Sequence, residues 1–173
     1  ECVDITHDLP PYDIWAASVE LDYGGPYWPK GTVFVSVVDP GVGTSRKACV
    51  ALLKDGNYVV TPDNGTLTHL SKSPGIAAVR EIDETVNRLK GSEVFSVFHG
   101  RDIFAYCAAR LASGVISFEG VGPAYPAEDV VLLEDALKTA EVREGAISGI
   151  VTSTSDHFGS IVFNIPLAQV AEA

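Results

Sequence analysis

The chain has 173 residues, 46% hydrophobic and 20% charged, with 23 acidic against 12 basic residues and a formal net charge of −11. That length predicts one domain with room for part of a second, and the composition excludes a disordered chain. The acidic surplus argues against an extended phosphate-backbone contact, so nucleic acid is not an expected partner; no apolar run reaches the roughly 20 residues of a membrane span, and no signal-peptide pattern opens the sequence.

Val3 and Ile5 alternate with polar residues and predict the tail of a strand, broken by Pro10-Pro11. Apolar Ile14, Ala17 and Leu21 have helical spacing, which predicts a helix over 12–23 with Asp13 at its positive end and Gly24-Gly25 as its stop. Residues 32–38 form a nearly continuous β-branched and aromatic run, predicting a strand buried on both faces of a helix-flanked sheet. Strands over 47–54 and 58–61 are joined across Asp55-Gly56-Asn57, a favoured tight-turn sequence. Further strands are expected over 76–82 and 94–98. A helix follows over about 101–112, with Ile103, Cys107 and Leu111 on one stripe and Gly114 past its end. Residues 146–154 and 161–165 predict two strands around the polar turn 155–160. This order predicts an α/β fold: a mixed α/β sheet domain over 1–143, linked through 122–144 to the start of a smaller β domain over 144–173 that is cut short at Ala173.

Cys2, Cys49 and Cys107 are odd in number and form no CxxC pair, which predicts buried free thiols in a reducing compartment. Methionine is absent, which fits a processed piece of a longer chain.

Three loops carry chemistry. The first, Val38-Asp39-Pro40-Gly41-Val42-Gly43-Thr44-Ser45-Arg46, has tight-turn residues. It lacks GxxxxGK[ST] and runs into a strand, so it is no phosphate cradle. Its arms carry a carboxylate, Asp39, and a guanidinium, Arg46. The second, residues 61–66, contains Asp63 and Asn64, turn formers that satisfy backbone donors locally. The third, Phe98-His99-Gly100-Arg101-Asp102, opens a helix whose free N–H groups suit an anion or a hydroxide-like nucleophile, although His99 alone also fits a structural histidine. His7, Asp8, Asp39, Asp63 and His99 are metal-ligating types without HxH or HExxH spacing, so no metal is expected. GxSxG is absent too, which argues against a Ser-His-Asp hydrolase.

Together and in this order, these loops, with Asp4-Ile5-Thr6-His7-Asp8 before them and Asp156-His157-Phe158-Gly159 after, resemble the S-adenosyl-L-methionine hydroxide adenosyltransferases. These are adenosine-forming S-adenosylmethionine hydrolases, related to the fluorinases and chlorinases. The resemblance implies an N-terminal α/β domain, a C-terminal β-barrel-like domain, and a cytoplasmic homotrimer with active sites between subunits. It implies S-adenosylmethionine as substrate, no metal or organic cofactor, and attack by water or hydroxide at C5′ to release L-methionine and adenosine. Carried over by motif, the catalytic residues are Asp39, Arg46 and His99. Tyr12 takes the place of an aromatic residue beside the ligand, though its position also fits packing at a helix start. Phe98 matches an apolar wall, Gly100 offers its amide, and Asp156 matches the partner of the methionine ammonium. Ser160 stands where the family often has Asn. The family's first strand is expected before Glu1 and most of its second domain after Ala173. A halogenase of the same fold and a non-catalytic S-adenosylmethionine- or adenosine-binding module are the alternatives, and the intact triad favours water over halide.

The chemistry suits the carry-over. A sulfonium departs as a neutral thioether, so the difficulty lies in activating a water whose bulk pKa is about 15.7. His99, of reference pKa about 6.5, is expected to accept or relay the proton. Arg46 would favour neutral His99 and hydroxide, and Asp39 would orient Arg46 or the water.

Overall fold

The computed structural model describes residues 1–95, 97–155 and 158–170 and divides into two units, Glu1–Leu132 and Leu133–Ala173. In the first unit the Asp13 carboxylate accepts from Ala16 N at 2.9 Å and caps α1 (Ile14–Gly24). β1 (Val33–Val35) follows, then β2 (Ala48–Leu53) and β3 (Tyr58–Pro62). Gly56 turns the last two into a hairpin with φ 92°, and the Asp55 carboxylate accepts from Asn57 N at 2.9 Å. α2 (Thr68–Lys72), β4 (Ile76–Glu81) and α3 (Glu84–Asn87) come next. A π-helical stretch over Gly100–Ala105 then runs directly into α4 (Tyr106–Ala112), and β5 (Ala124–Tyr125) closes the sheet.

The sheet order is β1-β3-β2-β4-β5. β1 pairs parallel with β3, and the other pairs are antiparallel. β2, without a polar side chain, is the buried centre. Alternation along it separates two cores. Cys49, Ala51 and Leu53 pack with Val59, Leu21 of α1 and Leu70 of α2, whereas Ala48 and Val50 pack with Val60 and with Ile103, Phe104 and Cys107 of the π-helix and α4. The mixed α/β expectation thus holds, with one helical layer on each face.

Three expectations for the first unit are corrected. β1 spans three residues and is not buried on both faces; it ends the sheet, so Phe34 is buried while Val35 and Val37 are exposed. Of the segment 94–98, the described residues Val94, Phe95, Val97 and Phe98 lie in no strand: Ser92 O accepts from Phe95 N in a turn, and all four are exposed. An apolar run reads alike whether it is destined for a sheet or a surface. Val3 and Ile5 are likewise exposed and outside any ladder.

In the second unit, α5 (Glu134–Leu137) precedes β6 (Glu141–Arg143) and β7 (Ala146–Ser148), an antiparallel pair around Gly145 at φ 71°. β8 (Val151–Ser155) pairs antiparallel with β9 (Ser160–Phe163), and α6 (Leu167–Val170) follows. The single strand expected over 146–154 is therefore two. No helix among the described residues is long and apolar enough to cross a membrane.

Candidate active site

The three catalytic candidates meet at one end of the sheet. β1 and β3 are parallel neighbours, so the loops that follow them emerge at the same end, and the start of antiparallel β2 lies there too. Open α/β sheets gather their chemistry at such strand ends. Asp39 follows β1 and Arg46 precedes β2. Within the loop between them, Thr44 N donates to Gly41 O at 3.0 Å and Gly43 takes φ 79°. Gly41 lies close to the arginine stem, where an added Cβ would sit 3.2 Å from Arg46 Cγ.

Arg46 Nε donates to Asp39 Oδ1 at 2.9 Å and Oδ2 at 3.1 Å, and Nη2 donates to Oδ2 as well. Nη2 also donates to His99 Nδ1 at 2.9 Å. Phe104 from the π-helix lies with its ring centroid 5.2 Å from the Arg46 guanidinium carbon, a cation–π support for the plane. The side chains of Arg46 and Asp39 are 10% and 6% exposed, and His99 is 7% exposed. A two-point Arg–carboxylate grip fixes orientation as well as charge.

Arginine has no acceptor, so its bond to Nδ1 fixes the His99 tautomer: Nδ1 accepts and the ring proton sits on Nε2. Burial and then the Arg46 charge hold the imidazole pKa below 6.5, with Arg88 acting the same way and Glu84 and Asp39 opposing. The resting ring is a neutral Nε2–H donor. Proton uptake at Nδ1 first requires Arg46 to let go, a constraint on His99 as proton acceptor that sequence does not reveal.

Tyr12 is 76% exposed and holds φ 68° just before the α1 cap; a bulky residue in this region marks a strained position. Tyr12 and Asp39 both line a cleft of about 1170 Å³, together with Val35, Val37 and the small residues Ala105, Ala108 and Ala109. Phe98 is 56% exposed, with the Arg101 guanidinium 5.0 Å from its ring centroid. Gly100 opens the π-helix, and a Cβ there would make only ordinary contact with Val37. Ser160 is the exposed first residue of β9, and Asp156 lies outside the described residues. Asp63 is occupied by Tyr125 Oη at 2.9 Å and Val131 N at 2.9 Å. Among the described residues no group of three or more His, Cys, Asp or Glu could hold a metal ion. Sequence reading missed Phe104 beneath Arg46, and it saw only a local turn role for Asn64; the parallel run of β1 and β3 is the signal that would have joined Asn64 to the Asp39 loop.

A family model for the SAM hydroxide adenosyltransferase N-terminal domain matches residues 1–122. The chain belongs to this family. Relatives of the same family include an (R)-S-adenosyl-L-methionine hydrolase from Salinispora tropica, 40% identical over 92% of this chain, and one from Thermus thermophilus, 40% identical over 97%. The chain spans 58% and 64% of the length of these two relatives. A fluorinase from an Actinoplanes species is more distant, at 24% identity over 99% of this chain and 63% of its own. A crystal structure of an uncharacterized conserved protein from Thermotoga maritima matches with a TM-score of 0.87 at 37% identity, covering 99% of this chain and 63% of that one. Of these relatives, the two hydrolases are the more similar to this chain and the fluorinase the less.

Proposed function

We propose that the protein hydrolyses S-adenosyl-L-methionine to adenosine and L-methionine. The observation that carries this reading is the buried Asp39–Arg46–His99 chain at the sheet end, a fixed cation joined to a neutral imidazole. The names of the hydrolase relatives support it. The guanidinium favours hydroxide over water beside it, and the His99 Nε2–H would donate to the hydroxide oxygen and aim a lone pair at C5′. The water proton leaves to solvent. The new O–C5′ bond forms as C5′–S breaks, the bonding pair stays on sulfur, and the thioether departs neutral. Neither a general acid nor a metal or organic cofactor is needed.

Tyr12, Phe98 and the Gly100 amide would line the substrate, Asp156 would pair with its ammonium, and Ser160 would lie next to it. We read the second unit as the start of a β-barrel-like domain, supported by its antiparallel pairs β6–β7 and β8–β9. We read the assembly as a homotrimer with sites between subunits, supported by the exposed apolar residues immediately before His99. A cytoplasmic location suits the free cysteines.

Incubation with S-adenosylmethionine, read by chromatography, should give adenosine and methionine in equal amounts. His99→Gly, which removes the donor to the reacting oxygen, should lower the rate on the order of a hundredfold. Binding without products would leave only a binding module, and 5′-chloro-5′-deoxyadenosine formed in chloride would turn the assignment to a halogenase.

A further inference from the structure

The loop that carries Asp39 and Arg46 is held differently at its two ends. At the Arg46 end the β2–β3 ladder continues one step, with Asp63 N donating to Lys47 O at 2.9 Å. At the Asp39 end the parallel β1–β3 ladder finishes with Ser36 N donating to Val60 O at 3.1 Å. Two residues later Val38 O, next to Asp39, accepts from a side chain instead, Asn64 Nδ2 at 2.8 Å. The orientation of that amide is set from its other end. Asn64 Oδ1 accepts from Thr66 Oγ1 at 2.8 Å and from Thr66 N at 3.3 Å, and Thr66 is fully buried. Only the nitrogen of an amide can donate to a carbonyl, so the Thr66 bonds point the NH2 at Val38.

We infer that Asn64 is a positioning residue: its amide stands in for the missing ladder bond and holds Val38, and through it the Asp39 carboxylate, where Arg46 is aimed at His99. The reasoning is geometric. Asp39 grips Arg46 at Nε and Nη2, and the same Nη2 reaches Nδ1 of His99. Swinging the Val38–Asp39 backbone turns the guanidinium and takes Nη2 off the imidazole. A displacement of about 1 Å at a reacting group can cost on the order of a hundredfold in rate. Asn64 does this without itself touching substrate. As a role in turnover, the inference rests on the hydrolytic reading; as a statement about the triad, it is testable separately.

The separate readout is the imidazole titration of His99 by NMR, its signal assigned by its loss in His99→Gln. The charged groups facing the ring are Arg46, Asp39, Arg88, Glu84 and Asp102. Neither test variant alters any of them. In Asn64→Ala the loosened Arg46 relieves its effect on the ring, so the titration moves upward toward the ordinary 6.5. Thr66→Val keeps the asparagine but removes the hydroxyl that orients it, and moves the titration in the same direction by less. With S-adenosylmethionine, Asn64→Ala lowers kcat on the order of tenfold to a hundredfold and leaves KM within about twofold. Thermal unfolding confirms that each variant is folded, and if Asn64→Ala does not fold, Thr66→Val carries the test. An unmoved titration in the folded variants overturns the inference. So does a raised KM with unchanged kcat, which would make Asn64 a substrate contact. If the wild-type protein makes no adenosine, the hydrolytic reading fails, yet the titration still decides whether Asn64 positions the triad.

Discussion

Arg46 shows how much one side chain can organise. Asp39 holds it from one side, His99 receives it on the other, and the Phe104 ring supports its plane. Lysine has neither the fork nor the plane for this. Two histidines are kept neutral by their surroundings. His99 is lowered by burial and Arg46, and His69 is lowered by burial, with Ser18 Oγ 2.9 Å from its Nδ1. A histidine whose folded pKa lies below its unfolded value binds fewer protons folded than unfolded, so its contribution to stability is complete above about 6.5 and is lost as pH falls. Asp22, raised above 3.8 by burial, works in the opposite sense further toward acid. Urea midpoints measured from pH 8 down should hold steady to about 6.5 and then decline. A midpoint that does not change between pH 7 and 5 would show that neither ring is held neutral.

Among the elements, those with strong local signals were legible in the sequence. Asp13 with its helical apolar spacing, the Asp-Gly hairpin and the wholly apolar β2 each have one physical outcome, and α1, the β2–β3 pair and the helix carrying Cys107 stand where expected. The segment 94–98 was misread because hydrophobicity does not say what it will meet. β1 was overextended because β-branched residues persist at Val37 and Val38 after its pairing with β3 has ended at Val35. The meeting of Asp39, Arg46 and His99 was legible only by motif resemblance, since a separation of 53 positions between Arg46 and His99 hides their contact. A second element-level constraint is Gly122, at φ 151° between Val121 and β5, where an added Cβ would lie 2.2 Å from Glu81 O. Gly122→Ala should cost about 1–3 kcal/mol and lower the denaturation midpoint; an unchanged midpoint would mean that the β4 edge yields.

At the level of the whole molecule, Val94, Phe95, Val97 and Phe98 expose their apolar side chains on the segment that leads directly into His99, the kind of surface that marks an interaction site. A trimer that covers it would also wall the site. Native mass spectrometry should therefore find three times the single-chain mass, and a monomer at micromolar concentration would remove the interface reading. The two cores have a different consequence. Cys49 and Cys107 are fully buried, one in each core on opposite sides of the sheet. Burial pushes their thiols up to about 12 and about 11, so the closed fold keeps both protonated and unreactive. Cys2, which is exposed, lies outside both cores. Each buried thiol is thus a natural clock for the breathing of its own layer: Cys49 times the side lined by α1 and α2, and Cys107 the side whose helix begins at His99.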